Sequence, residues 1–295
     1  MMNQDEAQRF EDARPTLLGL AYRILGSLAD AEDAVQDTFL KWADVERQKI
    51  ENPASWLTTI CTRRCLDLLR AAHHARVNYV GEWLPEPVHT PIANDAASSL
   101  DLASSLTTAF LLMLERLTPK ERAAYLLHDI FDVPYSEIAE TLDMHESTCR
   151  KLVSRAKVNI DQAKVRHTTP LEQQNQLLAA FQTAITSGAT APLAALLSSD
   201  IQLSADGGGK VPAILEVLQG KAEVIAFLSE RLHNYWVGHQ WLMIDINGAR
   251  GIVITHAGIP EAVISFAYDD AGKANNIYIV RNPDKLAHLG PVAIH

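Results

Sequence analysis

Apolar residues recur at helical spacing along the first 80 positions. Leu17, Leu18, Leu20, Ala21, Ile24 and Leu25 predict one helix, which Gly26-Ser27 breaks. A second follows with Asp30 as its cap. Val35, Phe39 and Trp42 form its apolar stripe, and Asp33, Gln36 and Asp37 form a polar one at i, i+3 and i+4. Asn52 caps a third helix with Pro53 at its first position. Trp56, Leu57, Ile60, Cys61, Leu68 and Leu69 are its apolar side, and Arg63, Arg64 and Arg70 its charged side. Periodicity is lost over residues 81–105, where Pro85, Pro87 and Pro91 are followed by an Ala/Ser-rich stretch, so a linker is expected. Within it, WLPEP places Trp83 where water is expected, which predicts a segment docked on a folded domain. Residues 106–131 predict two more helices, the second opened by the capping box Thr118-Pro119-Lys120-Glu121.

Residues 132–157 predict two short helices joined by a tight turn. Ser136 is the expected cap of the first, with Ile138, Ala139 and Leu142 on its apolar face. The second starts near Glu146 and turns Cys149, Leu152, Val153, Ala156 and Ile160 one way. Arg150, Lys151, Arg155 and Lys157 face the other way, interleaved with Ser147, Thr148 and Ser154. One helix that packs and a next that offers cations and hydroxyls is the layout of a helix-turn-helix in a major groove. The competing reading is a basic amphipathic helix on the surface of some other protein.

Beyond Pro170 the pattern changes. Helices are expected over 171–187, 190–197, 211–218 and 221–232. Apolar, β-rich runs follow at 236–246, 250–257, 261–268 and 275–281, with Asn-Gly, Gly-Ile-Pro and Asp-Asp-Ala-Gly between them. Helices followed by an antiparallel sheet indicate an α+β domain. The expected division is two all-α domains, 1–80 and 106–167, joined by linker 81–105, and an α+β domain over 168–295.

The net charge of −10 opposes DNA binding until the chain is divided. Residues 52–80 hold 4 basic and 1 acidic residue and 147–167 hold 6 and 1, whereas 1–51 hold 6 and 11 and 168–295 hold 7 and 11. Two cationic patches in an acidic molecule predict weak non-specific DNA affinity, because phosphate neutralisation drives that term. Useful promoter binding then needs a larger partner. The acidic, polar start argues against a secretory signal, and three cysteines argue against a disulfide framework. A cytoplasmic protein with reduced thiols and no membrane partner is expected.

Other candidate chemistry is weaker. Cys61, Cys65, His73 and His74 invite a zinc reading, but thiols one turn apart on a helix usually serve as core residues. Gly207, Gly208 and Gly209 lack the spacing and ending of a phosphate loop and are expected to form a turn or an interdomain contact. His233, His239, Asp245 and His256 are scattered, and a structural role is expected for each. No metal or cofactor is expected.

DAEDAVQDTFLKWA and NPASWLTTICTRRCLDLLR resemble region 2 of a bacterial extracytoplasmic-function (ECF) sigma factor. LTPKERAAYLLHDIFDVPYSEIAETLDMHESTCRKLVSRAK resembles region 4. WLPEP, DGGGK at 206–210 and NPDKL at 282–286 resemble the subgroup with a C-terminal SnoaL-like domain, the SigJ-like sigma factors. The resemblance implies a transcription-initiation subunit and not an enzyme, with the β′ clamp and β flap of RNA polymerase core and promoter DNA as partners. It implies that Asp33, Gln36 and Asp37 face the polymerase, and that Asn52, Ser55, Trp56, Arg63 and Arg64 melt and read the minus-ten element. Ser147, Thr148, Arg150, Lys151, Ser154, Arg155 and Lys157 would read the minus-thirty-five element. Trp83, Pro85, Asp206, Lys210, Asn282, Asp284 and Lys285 would carry regulation in cis, in place of a separate anti-sigma factor. Two departures stand out: Asp143 replaces the usual turn glycine, and His145 the usual Ser or Thr cap. The rival expectations are a SnoaL-like enzyme and a ligand-sensing DNA-binding regulator that works without polymerase.

Overall fold

Gly26, at φ 69°, ends the first helix α1 (Gln4–Leu25), and Ser27 starts α2 (Leu28–Asp44) by accepting a bond from the Asp30 amide at 3.2 Å. The cap is therefore Ser27 and not Asp30. Ser27 is the extended residue whose side-chain oxygen reaches the third amide of the new helix. The computed structural model describes residues 4–46, 50–76, 79–89, 105–162 and 169–289. It divides into two compact units, Met1–Val77 with Met113–Ala163, and Asn78–Leu112 with Lys164–His295.

Unit 1 is helical. Asn52 caps α3 (Pro53–Arg76) through the Ser55 amide. Leu17, Leu20, Ile24, Leu57, Cys61 and Leu69 are buried, as their spacing requires, with Trp42 beneath Trp56 at 5.6 Å between rings. The division between the units falls inside α4 (Thr108–Leu114). Thr118 and Glu121 form the capping box of α5 (Pro119–Tyr125), which widens into a π turn over Leu126–Ile130. Helices α6 (Tyr135–Leu142) and α7 (Glu146–Gln162) follow. Pro134 precedes α6 in the cap position, so Ser136 lies inside the helix and makes no cap bond. The proline's fixed φ already sets the helix start.

Unit 2 holds α8 (Leu171–Ser187), α9 (Ala191–Leu196), α10 (Lys221–Phe227), a π turn over Leu228–Leu232 and α11 (His233–Tyr235). Its strands are β1 (Leu197–Asp206), β2 (Leu218–Gln219), β3 (Gln240–Ile246), β4 (Ala249–His256), β5 (Ile259–Tyr268) and β6 (Ala274–Val280). They make one sheet in the order β2-β1-β6-β5-β4-β3. The sheet is mixed, because β1 pairs parallel with β6; the other pairings are antiparallel. Periodicity missed β1, whose burial does not alternate because it lies inside the sheet. Residues 211–218 are not helical: Val211 folds back over Gly207 at 3.3 Å, and the segment ends in edge strand β2.

Apolar residues fill both faces of this sheet. Phe181, Trp236, Ile252, Ile264 and Ile277 belong to the layer under the helices. Leu84, Ile246, Val253, Val263, Val280 and Leu286 form the opposite layer, with Ala109 and Leu112 packed against it. Double-sided burial explains why β4 to β6 read as near-continuous apolar runs. Asn247 and Gly248, at φ 52° and 72°, supply the left-handed pair that a two-residue β3–β4 hairpin needs.

Candidate nucleic-acid interface

The turn between α6 and α7 depends on Asp143, which takes the left-handed conformation (φ 50°, ψ 65°) expected of the residue replacing glycine. With His145 in the cap place, its carbonyl accepts from the Thr148 and Cys149 amides. Helix α7 then separates its faces completely. Cys149, Leu152, Val153, Ala156 and Ile160 are buried, while Ser147, Thr148, Arg150, Lys151, Ser154, Arg155 and Lys157 are exposed. Three of the cations are held by carboxylates. Arg150 pairs with Glu146, Arg155 with Glu121 at 3.2 Å and Lys157 with Asp129 at 2.7 Å. Lys151 has no ion pair among the described residues. Arg150–Glu146 is a surface pair, contributing about 0–1 kcal/mol, whereas Glu121 is buried and Asp129 half-buried beside their exposed cations. The three pairs orient the cations and leave them able to exchange a carboxylate for a phosphate.

The second cationic patch is on α3. Asn52 is exposed, Ser55 and Trp56 are half-buried, and Arg64 donates to Asp37 at 2.6 Å. That bond ties the polar stripe of α2 to the cationic face of α3. Asp33 and Gln36 are exposed beside Asp37, opposite the buried Ala31, Ala34, Val35 and Thr38. Arg63 makes contacts that periodicity does not reveal. It donates through Nε to the Thr141 carbonyl at 3.0 Å and through Nη2 to the Glu140 carbonyl at 2.7 Å, while Thr59 and Thr141 share a hydroxyl bond at 2.8 Å. The last carbonyls of α6 are short of intrahelical donors, Glu140 having only the long 3.4 Å bond from the Asp143 amide, and a cation there also meets the negative end of the helix dipole. Arg122, nearly buried, bonds the Ile24 carbonyl at 2.6 Å and Glu115 at 2.7 Å.

The residues expected to regulate in cis converge within unit 2. Asp206 is fully buried and accepts four bonds: from Tyr79 Oη at 2.6 Å, Leu84 N at 2.9 Å, Gly208 N at 2.9 Å and Lys285 Nζ at 2.7 Å. Lys285 also donates to the Leu84 carbonyl and lies 4.3 Å from the centre of the Trp83 ring. Asn282 caps α12 (Pro283–Leu286) and donates to Tyr79 Oη at 2.9 Å. Burial and the adjacent Asp206 carboxylate raise the Tyr79 phenol well above its usual range. A Cβ on Gly208 would lie 2.3 Å from Asn282, so the glycine is needed for this close approach. Pro85 is buried, and Val88 exchanges two 2.9 Å bonds with Asn247. Lys210 and Asp284 pair on the exposed rim. Residues 79–89 thus form a strap on the C-terminal domain. At the other end of the intervening segment, Thr108 bonds Ser265 at 2.9 Å on the same domain. Tyr79 carries no motif that would have announced it.

Among the described residues the remaining candidates do not form one cluster. Cys61 and Cys65 are buried thiols in the core of unit 1, and the side chains of His73 and His74 lie outside the described residues. His239 bonds Glu261 at 3.1 Å and stacks near His256, whereas Asp245 pairs with Arg250, five residues away from Gln240 along β3, roughly 17 Å. His233 is bonded to the Ile185 carbonyl. No helix among the described residues is long and apolar enough to cross a membrane.

Two family models match the chain: Sigma-70 region 2 over residues 9–75 and Sigma-70, region 4 over residues 107–160. The chain is 34% identical to the ECF RNA polymerase sigma factor SigJ of Mycobacterium tuberculosis over 295 residues, 95% of this chain and 93% of that protein. It is 32% identical to the probable ECF RNA polymerase sigma factor SigI of the same organism over 177 residues, 59% of this chain and 61% of that one. The crystal structure of Mycobacterium tuberculosis SigJ matches with a TM-score of 0.75 and 29% identity, covering 97% of this chain and 100% of that chain.

Proposed function

The chain belongs to the extracytoplasmic-function RNA polymerase sigma factors, and from that membership we propose how its parts divide the work. As a sigma factor it directs RNA polymerase core to chosen promoters and starts DNA-templated transcription; it is not an enzyme. Asp33, Gln36 and Asp37 dock on the core, the β′ clamp in particular, with the β flap as the second contact. Asn52, Ser55, Trp56, Arg63 and Arg64 handle the minus-ten element, and α7 reads the minus-thirty-five element. The protein works in the cytoplasm, where the template lies. The observation that carries this reading is the split of α7 into a buried apolar face and an exposed face of cations and hydroxyls. Alanine at Arg150, Lys151 and Arg155 together is expected to abolish promoter-specific transcription by the reconstituted holoenzyme while thermal unfolding is unchanged. Undiminished transcription would remove α7 as the reader.

The C-terminal domain regulates in cis and takes the place of a separate anti-sigma protein. Support comes from both ends of the segment between regions 2 and 4. Residues 79–89 are strapped to that domain, and Thr108 bonds to its sheet. The domain, and not a free tether, then limits how far the two regions separate, and a sigma factor must spread them over two promoter elements. Covalent attachment lets weak contacts suffice. Arg63 belongs to the same equilibrium, since it must leave the α6 carbonyls before it can touch DNA. Reporter output at matched expression is expected to differ strongly between full-length protein and protein ending at residue 167. It is also expected to shift with Asp284→Ala, which removes only the rim pair with Lys210. Equal output from all three would make the domain a passenger and reopen the enzyme reading.

A further inference from the structure

We propose that Tyr135 is a positioning residue for promoter readout: its ring holds the Arg150 guanidinium in a fixed plane, from which it donates end-on to a guanine of the minus-thirty-five element. The proposal rests on the reading of α7 as the recognition helix. The carbon of the Arg150 guanidinium lies 4.2 Å from the centre of the Tyr135 ring. Glu146 takes one edge of the same group, accepting from Nε at 3.2 Å and also from Nη2. Face and side edge are thereby fixed. No described residue accepts from Nη1, and the side chain is 59% exposed. Two parallel donors on the end of a planar group match O6 and N7 of guanine in the major groove. Arg150 also stands in the second turn of α7, within the N-terminal part that a helix-turn-helix presents to base edges.

Tyr135 is itself held. It starts α6, and the His128 ring centre lies 4.1 Å from its own. His128 sits on the π turn, whose extra residue per turn is common at functional sites. Asp132, at φ 52°, then redirects the chain so that Tyr135 enters α6 beside that turn. Among the α7 cations, this combination of a ring and a carboxylate is made by Arg150. Arg155 and Lys157 have carboxylates, and Lys151 has neither among the described residues. A flexible arginine samples many rotamers, and one clamped in two directions meets a base pair with less ordering left to do.

The test uses core polymerase with full-length protein and a promoter library randomised through the minus-thirty-five element. Transcript abundance per sequence gives base preference at each position, a ratio that does not depend on the active fraction of a variant. Wild type is expected to prefer guanine at one position, and Arg150→Ala to flatten that preference by about fivefold or more. Tyr135→Leu keeps bulk and loses the ring. It is expected to weaken the same position by about two- to fivefold, the size of an exposed cation–π contact, and to leave other positions alone. Tyr135→Phe is expected to stay near wild type. A leucine variant with wild-type preference at that position would overturn the proposal, as would an even loss across all sequences, which marks a packing role. A flat response to Arg150→Ala would instead overturn the reading of α7 on which the proposal stands.

Discussion

Asp33→Arg combined with Asp37→Arg is expected to abolish co-purification with core RNA polymerase while the helical circular dichroism signal persists. Both positions lie on the solvent side of α2, and the opposite side is already committed to the core through Ala31, Ala34, Val35 and Trp42. Reversal therefore changes charge without changing packing, and like-charge contacts across an interface cost several kcal/mol. The two residues are not equivalent. Asp37 also holds Arg64 at 2.6 Å, so its reversal disturbs the cationic side of α3 as well. Asp33 is exposed and separates the two effects: Asp33→Arg alone is expected to weaken core binding more than tenfold, in the range of an interface hot spot, with Arg64 undisturbed. Co-purification at wild-type level by the double variant would show that this stripe is an ordinary solvated face.

Lys285→Ala is expected to destabilise unit 2 by about 3–5 kcal/mol, because it strands a buried carboxylate. Asp206 is fully buried, and its pairing with Lys285 at 2.7 Å is the cationic part of its coordination. The loss reaches the strap directly, since Lys285 also binds the Leu84 carbonyl and lies against Trp83. Thermal unfolding should show the lower stability, and amide exchange over residues 79–89 should accelerate more than exchange in β4 and β5. Asp206→Asn is expected to do the same by removing the charge that balances buried Lys285. Protection of the strap unchanged in both variants would contradict the role given to this cluster. NPDKL is therefore two different features. Asp284 is a rim residue open to mild substitution, and Lys285 is part of a core.

What was legible in the sequence tracks how local the cause is. Thr118 with Glu121, Asn52 with Pro53, Gly26 and Asp143 act within a turn of chain, and each stands where its pattern placed it. The exposed face of α7 was legible because its burial follows one period from Glu146 to Ile160. Strand β1 was not, since its burial does not alternate and its parallel partner β6 lies 74 residues on, with Asp206 opposite Val280, beyond the reach of periodicity. The mixed sheet was missed for the same reason. Residues 211–218 have helical composition, and their fate is decided by the backbone of Gly207 beneath Val211 and Ala213. Arg63, Tyr79 and Tyr135 make their contacts with partners 77, 127 and 15 positions away. WLPEP was legible as a docked segment, the glycines of DGGGK as a turn or interdomain contact, and the two with NPDKL as a subgroup resemblance, but not as one cluster. Their meeting at Asp206 depends on β1, the strand that the pattern hid.

The claim that this chain starts transcription with the polymerase core is tested most directly by run-off transcription. Start sites mapped after overproduction supply the templates, and purified core and purified full-length protein are added separately and together. Transcripts beginning at the mapped sites are expected only when both are present, with little DNA bound by the protein alone at physiological salt. Tight, sequence-specific binding by the free protein, with no core-dependent transcript from any mapped site, would contradict the account.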